Sequence, residues 1–137
     1  MGNKIKCRKA KFWLEDEILF CEFNSKKCKN EFNEDFIEDY LEAIATLSDG
    51  KYFPLLIDLR QLNSKYTFSV VKTLAKNSDL KSAILSKSFV IKSFFIQFKL
   101  IVMKIIQDPI IPNKVFRSYQ KAVKYSLETN YIFNTYY

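Results

Sequence analysis

Asp58 and Arg60 are the first residues to weigh for chemistry. They lie two apart at the end of the apolar run Tyr52-Phe53-Pro54-Leu55-Leu56-Ile57-Asp58-Leu59-Arg60. In an extended chain that spacing points both side chains to one side, so they can pair. In open α/β sheets ligands bind outside the carboxyl ends of the strands, which makes the two a candidate strand-end site. An ion pair that ties off the strand accounts for both equally well, and no nucleophile or base is legible beside them. Ser64 and Thr67 follow shortly after. Their hydroxyls suit the cap of a helix that starts there.

What the chain lacks narrows its chemistry further. It has no histidine, which removes the commonest general base, the commonest metal ligand and every His-containing triad. Its three cysteines, Cys7, Cys21 and Cys28, form no C-x-x-C pair. Neither a structural zinc site nor a disulfide framework is expected, and a reducing compartment fits. The two glycines, Gly2 and Gly50, cannot build a glycine-rich phosphate cradle. We therefore expect no enzyme, no metal and no cofactor. The N-terminus is basic without the apolar segment of a secretory signal. Met1-Gly2-Asn3 opens like a myristoylation site, but Lys6 stands where Ser or Thr is wanted. The cytoplasm follows by elimination.

The formal net charge of +7 is unevenly spread. Residues 1–50 carry eleven acids and eight bases; residues 51–137 carry four acids and fourteen bases. A basic half attracts nucleic acid, anionic lipid or acidic protein. Nineteen of the bases are Lys and only three are Arg, the usual reader of base edges, so nucleic acid is not the expected partner. A solvated lysine coat is the plain account of the charge.

The elements that must position these residues can be read from pattern. With 137 residues, 48% of them hydrophobic, one domain with its own core is expected. Residues 6–14 and 18–23 read as a β-hairpin around Glu15-Asp16-Glu17. Residues 34–48 read as a helix, with Asn33 as cap and acids in its first turns. Phe36, Ile37, Tyr40, Leu41, Ile44 and Leu47 form its apolar stripe, and Gly50 closes it. The run 52–60 bursts into apolar residues between two helical stretches and reads as a strand buried on both faces. A helix over 66–77, a short strand over 81–85 and a long helix over 88–106 follow. Asp108-Pro109 and Ile111-Pro112 break that helix. A strand over 114–116 and a helix from a Ser118 cap through Glu128 complete the core, about residues 9–128. An aromatic tail, 129–137, remains. Strands alternating with helices imply a mostly parallel sheet. The expected fold is α/β, a five-stranded sheet opened by the hairpin, with four helices.

Several pieces carry a family resemblance. They are Lys11-Phe12-Trp13-Leu14-Glu15-Asp16 with Ile18-Leu19, then Pro54 to Arg60, Ala83, Pro112 with Lys114-Val115-Phe116, and Ala122. In this order the chain resembles the STAS/SpoIIAA-like proteins, and among them small single-domain bacterial members. The resemblance implies the SpoIIAA-like β-α superhelix. It also implies a protein-contact role, since anti-sigma-factor antagonists of this group are phosphorylated on a serine after the central strand. By that analogy Ser64 and Thr67 become candidate phosphosites. The matching segment, Gln61-Leu62-Asn63-Ser64-Lys65-Tyr66-Thr67, has no glycine, and Ser64 follows Asp58 more closely than in the family pattern. Related lipid-exchange domains enclose an apolar ligand on a similar scaffold.

The long helix over 88–106 is the most unusual reading. At about 100° per residue, Val90, Ile91, Phe94, Phe95, Phe98, Ile101, Val102 and Ile105 fall on one broad face. Phe89, Ile96, Leu100 and Met103 fall opposite, with Lys92 and Lys99 between the two. The broad face is expected to cover the sheet. The second stripe, Phe89, Ile96, Leu100 and Met103 with Lys92 and Lys99, becomes the candidate interaction surface. Its cover is a second copy, the aromatic tail or lipid, in that order. The lysines argue against a membrane span and leave docking at the lipid surface open. The reading is a non-enzymatic binding module acting through protein contacts, as a homodimer and with an unidentified protein partner. The alternative is a module for an apolar ligand or a membrane surface.

Overall fold

A computed structural model describes residues 4–24, 32–105 and 113–136. Cys28, Met1-Gly2-Asn3, Pro112 and the breaks at Asp108-Pro109 and Ile111-Pro112 lie outside the described residues. The fold is α/β, as expected. Its elements are β1 (Ile5–Cys7), β2 (Ala10–Glu15), β3 (Ile18–Phe23), α1 (Phe36–Ser48), β4 (Leu55–Asp58), α2 (Ser64–Lys76), α3 (Ser78–Lys81), β5 (Lys87–Val90), α4 (Phe94–Val102), β6 (Asn113–Phe116) and α5 (Tyr119–Tyr136).

The strands form one sheet in the order β1-β2-β3-β4-β5-β6. The first three are antiparallel, and β3 to β6 run parallel. The turn between β2 and β3 is two residues long, with Asp16 and Glu17 both at positive φ. That backbone matches the twist of the flanking strands.

Alternation along the strands sorts the side chains between two faces. Leu19, Cys21, Leu55, Ile57, Phe89 and Val115 face a core closed by α1, α2 and α4. Ile18, Phe20, Leu56 and Val90 face α5 through Ala122. The sheet is therefore covered on both sides, which is why β4 reads as an unbroken apolar run.

Five expectations change. The hairpin gains a third strand, β1, so the sheet has six strands among the described residues. Residues 81–85 are not a strand: α3 ends at Lys81 and the strand comes later, as β5. Residues 88–106 are not one helix. Ser88, Phe89 and Val90 belong to β5, which pairs with β4 and β6, and α4 begins only at Phe94. A central strand buried on both faces has no polar alternation, so its apolar residues merge with those of the following helix. The segment after Glu128 is not a separate tail, because α5 continues to Tyr136. The described helices number five.

Two buried polar arrangements hold the layers. Lys87 is fully buried, and its Nζ donates to the carbonyl oxygens of Leu74 and Ala75, 3.0 Å from each, at the C-terminal end of α2. A cation is favoured there by the helix dipole. On the other face, Ser86 Oγ meets Thr129 Oγ1 at 3.0 Å and Ser88 Oγ meets Ser126 Oγ at 3.4 Å. The C-terminal half of α5 thus rests on the sheet through hydroxyls.

Candidate functional site

The strand-end pair forms as its spacing allows. Arg60 Nε donates to Asp58 Oδ1 at 2.9 Å and Nη2 donates to Oδ2 at 2.8 Å. The Arg60 backbone N–H adds a bond to Oδ1 at 3.1 Å. Asp58 is buried, while the Arg60 side chain is nearly half exposed. The hydrogen bonds to Asp58 raise the guanidinium's pKa. The guanidinium carbon also lies 4.9 Å from the ring centre of Tyr119 at the start of α5. Tyr119 has its own pKa raised, first by burial and then by the Asp58 charge, with Arg60 opposing. Sequence reasoning missed Tyr119, because nothing in the pattern says which end of the last helix meets β4.

This bidentate pair satisfies itself and offers no nucleophile. It locks the carboxyl end of β4 to α5. Arg60→Ala should therefore lower stability by about 1 kcal/mol, since the pair is partly solvent-screened and Asp58 keeps its backbone donor. A urea titration checks this.

Ser64 is exposed at the first turn of α2, and Thr67 is buried. Neither caps the helix. Asn63 does so, its Oδ1 accepting from the backbone N–H of Tyr66 at 2.8 Å. Thr67 Oγ1 instead donates back to the Asn63 carbonyl at 2.8 Å. Asn63 holds the residue before the helix, where its short amide oxygen reaches an orphan donor, whereas Ser64 and Thr67 lie inside α2. Among the described residues no group of three or more His, Cys, Asp or Glu side chains is placed to hold a metal.

The helix α4 carries the most exposed apolar surface. Ser93 starts it, its Oγ accepting from the Ile96 N–H at 3.3 Å. Its end turns at Lys104, which adopts a left-handed φ of 57°. Leu100 is fully buried and Ile96 packs partly against the same core. Gln97 Nε2 donates to the Val115 carbonyl at 3.1 Å, and Arg117 Nε donates to Gln97 Oε1 at 3.2 Å. These contacts tie α4 to the edge strand β6.

The two faces are therefore reversed from the expectation. Of the candidate surface, Phe89 lies fully buried in β5, Ile96 and Leu100 point inward, and only Met103, Lys92 and Lys99 are exposed. Of the broad face, Val90, Ile91 and Ile105 are buried, while Phe94, Phe95, Phe98, Ile101 and Val102 point outward. Phe95 is 82% exposed, and Phe94, Phe98, Ile101, Val102 and Met103 are each more than half exposed. Periodicity divides a helix into faces without saying which turns in, and here the narrower stripe is enough to fill the space beside α2. At about 200 Å² for a large apolar side chain, the outward face amounts to roughly 700 Å². The largest apolar patch of an ordinary monomer is about 300–600 Å².

Cations border this face. The Arg117 guanidinium sits 5.3 Å from the Phe94 ring centre. Lys99 Nζ lies 4.4 Å from the ring centre of Phe68 on α2. Lys92 precedes the helix, Lys104 follows it, and both are exposed.

A family model described as "Domain of unknown function (DUF7793)" matches residues 12–130. No curated protein matches the chain. Among solved structures, the chain is similar to the crystal structure of an anti-sigma factor antagonist from Mycobacterium paratuberculosis. That similarity is at 12% identity, over 93% of this chain and 95% of that one, with a TM-score of 0.47.

Proposed function

The chain belongs to the family described as Domain of unknown function (DUF7793), and from that starting point we propose that it is a non-enzymatic binding module that works through the outward face of α4. The observation that carries this reading is the size of the face. About 700 Å² of apolar surface exposed along one helix approaches the roughly 800 Å² that each partner buries in a standard interface. A face of that size and convex shape suits a macromolecular occupant better than a small ligand, which takes a concave site. Protein contacts, self-association among them, are the occupancy expected from the sequence. The strand-end pair Asp58–Arg60 plays a structural part in this reading. Thr67 does the same through its bond to the Asn63 carbonyl, and we propose that Ser64 and Thr67 both stay unmodified. The module works in the cytoplasm.

A photo-crosslinking residue tests the reading whatever the occupant. Phe95→p-benzoylphenylalanine, irradiated in the native host, should give a covalent adduct. The same residue at Asp49, exposed at the end of α1, should give far less. Equal yields at the two positions would overturn the assignment of α4 as the working surface.

A further inference from the structure

We propose that the outward face of α4 docks on an anionic lipid surface. The inference rests on the reading of α4 as the docking face and names its occupant.

Charge is the first argument. From Leu80 to Leu127 the sequence has nine bases and one acid, Asp108. The bases that border the face are Lys92, Lys99, Lys104 and Arg117, all exposed. The acids gather elsewhere: Glu34, Asp35, Glu38, Asp39 and Glu42 lie on or before α1, which packs against β1, β2 and β3 at the other end of the sheet. The domain is thus polarised, with α4 on its positive side. An anionic surface meets that side favourably. A second copy, meeting it face to face across a two-fold axis, brings like-charged rims together.

Shape is the second argument. The face is a ridge, with Phe95 standing out at 82% exposure and Phe94 stacked on Phe98 at 6.4 Å between ring centres. A protein partner must present a groove that fits this ridge. Acyl chains at the headgroup boundary conform to it. Aromatic and aliphatic residues on one face with lysines beside them are the pattern of a helix that lies in a membrane interface. The lysine stems can run along the apolar surface while their ammonium groups reach phosphates.

Length sets the mode of binding. Nine residues span about 14 Å, against a hydrocarbon core of about 30 Å. No helix among the described residues is long and apolar enough to cross a membrane. The helix would therefore lie along the surface.

Vesicle flotation of the full chain tests this. Vesicles of phosphatidylcholine alone should not carry the protein; vesicles that also contain phosphatidylserine should, and less so as salt is raised. Phe95→Ser with Phe98→Ser should weaken binding at least about tenfold. Lys92→Gln, Lys99→Gln and Lys104→Gln should each weaken it roughly fivefold. Tyr131→Ser, at an exposed position on α5, should leave it unchanged. All these positions are exposed, so the variants should keep the wild-type melting transition, which a thermal melt checks. Equal binding to neutral vesicles, equal loss in Tyr131→Ser, or no flotation of folded wild type would each overturn the proposal. Analytical ultracentrifugation then separates the remaining cases. A dimer that dissociates in the Phe95→Ser, Phe98→Ser variant would replace lipid with a second copy and leave α4 as the docking face. A monomer that also shows no preference for crosslinking at position 95 would sink both readings.

Discussion

Leu100→Asp should unfold the domain. Leu100 is fully buried between α4 and the common core. The substitution removes a large apolar side chain, worth about 2–5 kcal/mol, and places a carboxylate among buried apolar side chains, which adds several kcal/mol more. A domain of this size has only about 5–15 kcal/mol to lose. Circular dichroism should show no cooperative melt at room temperature. Phe95→Asp, five residues earlier on the same helix, should keep the melting transition of the wild type, since surface substitutions stay within about ±0.5 kcal/mol. The contrast reads the orientation of α4 directly. A folded Leu100→Asp beside an unfolded Phe95→Asp would mean that the helix is turned the other way.

Ile57→Ala should destabilise the protein by about 2–5 kcal/mol through the cavity it leaves. Ile57 lies in β4, fully buried, with β3 on one side and β5 on the other. Its side chain faces the core under α1, α2 and α4. Chemical denaturation should move the midpoint while leaving the slope unchanged, because the surface exposed on unfolding is nearly the same. A loss below about 1 kcal/mol would contradict the central placement of the strand.

The part of the fold that was legible in the sequence is the part where local chemistry and tertiary environment agree. Leu55–Asp58 stands out because Gly50 ends the helix before it and Asp58 and Arg60 end the strand itself. The first helix is legible because one stripe is apolar and the other is charged. Lys87–Val90 is the opposite case. Lys87, Ser86 and Ser88 are all fully buried, yet each has the composition of a surface residue. Their burial depends on carbonyls of α2 and hydroxyls of α5, far away in sequence. Without them the apolar residues 89–91 looked like the start of a helix.

The same reason hid the end of α5. Ser126, Thr129 and Asn130 look solvent-facing but touch the sheet or its turns, Asn130 Nδ2 reaching Glu17 Oε2 at 3.4 Å. At the docking face, pattern alone revealed two apolar sides of residues 94–103. It did not reveal which was inward, because that depends on how much room α2 leaves beside the edge of the sheet.

The strand order repeats the order of the chain, and this bears on how the protein is made. As the ribosome releases it, each strand can add to the edge of the one before, with no strand held open for a later insertion. One side of the growing sheet is closed step by step by α1, α2 and α4. The other waits. Ile18, Phe20, Leu56 and Val90 are covered only when α5, which follows all six strands, arrives. Until then a nascent chain of five or six strands presents a bare apolar sheet face to solvent, the kind of surface through which incomplete chains aggregate. A chain stalled before Tyr119 would therefore keep this face of the sheet uncovered.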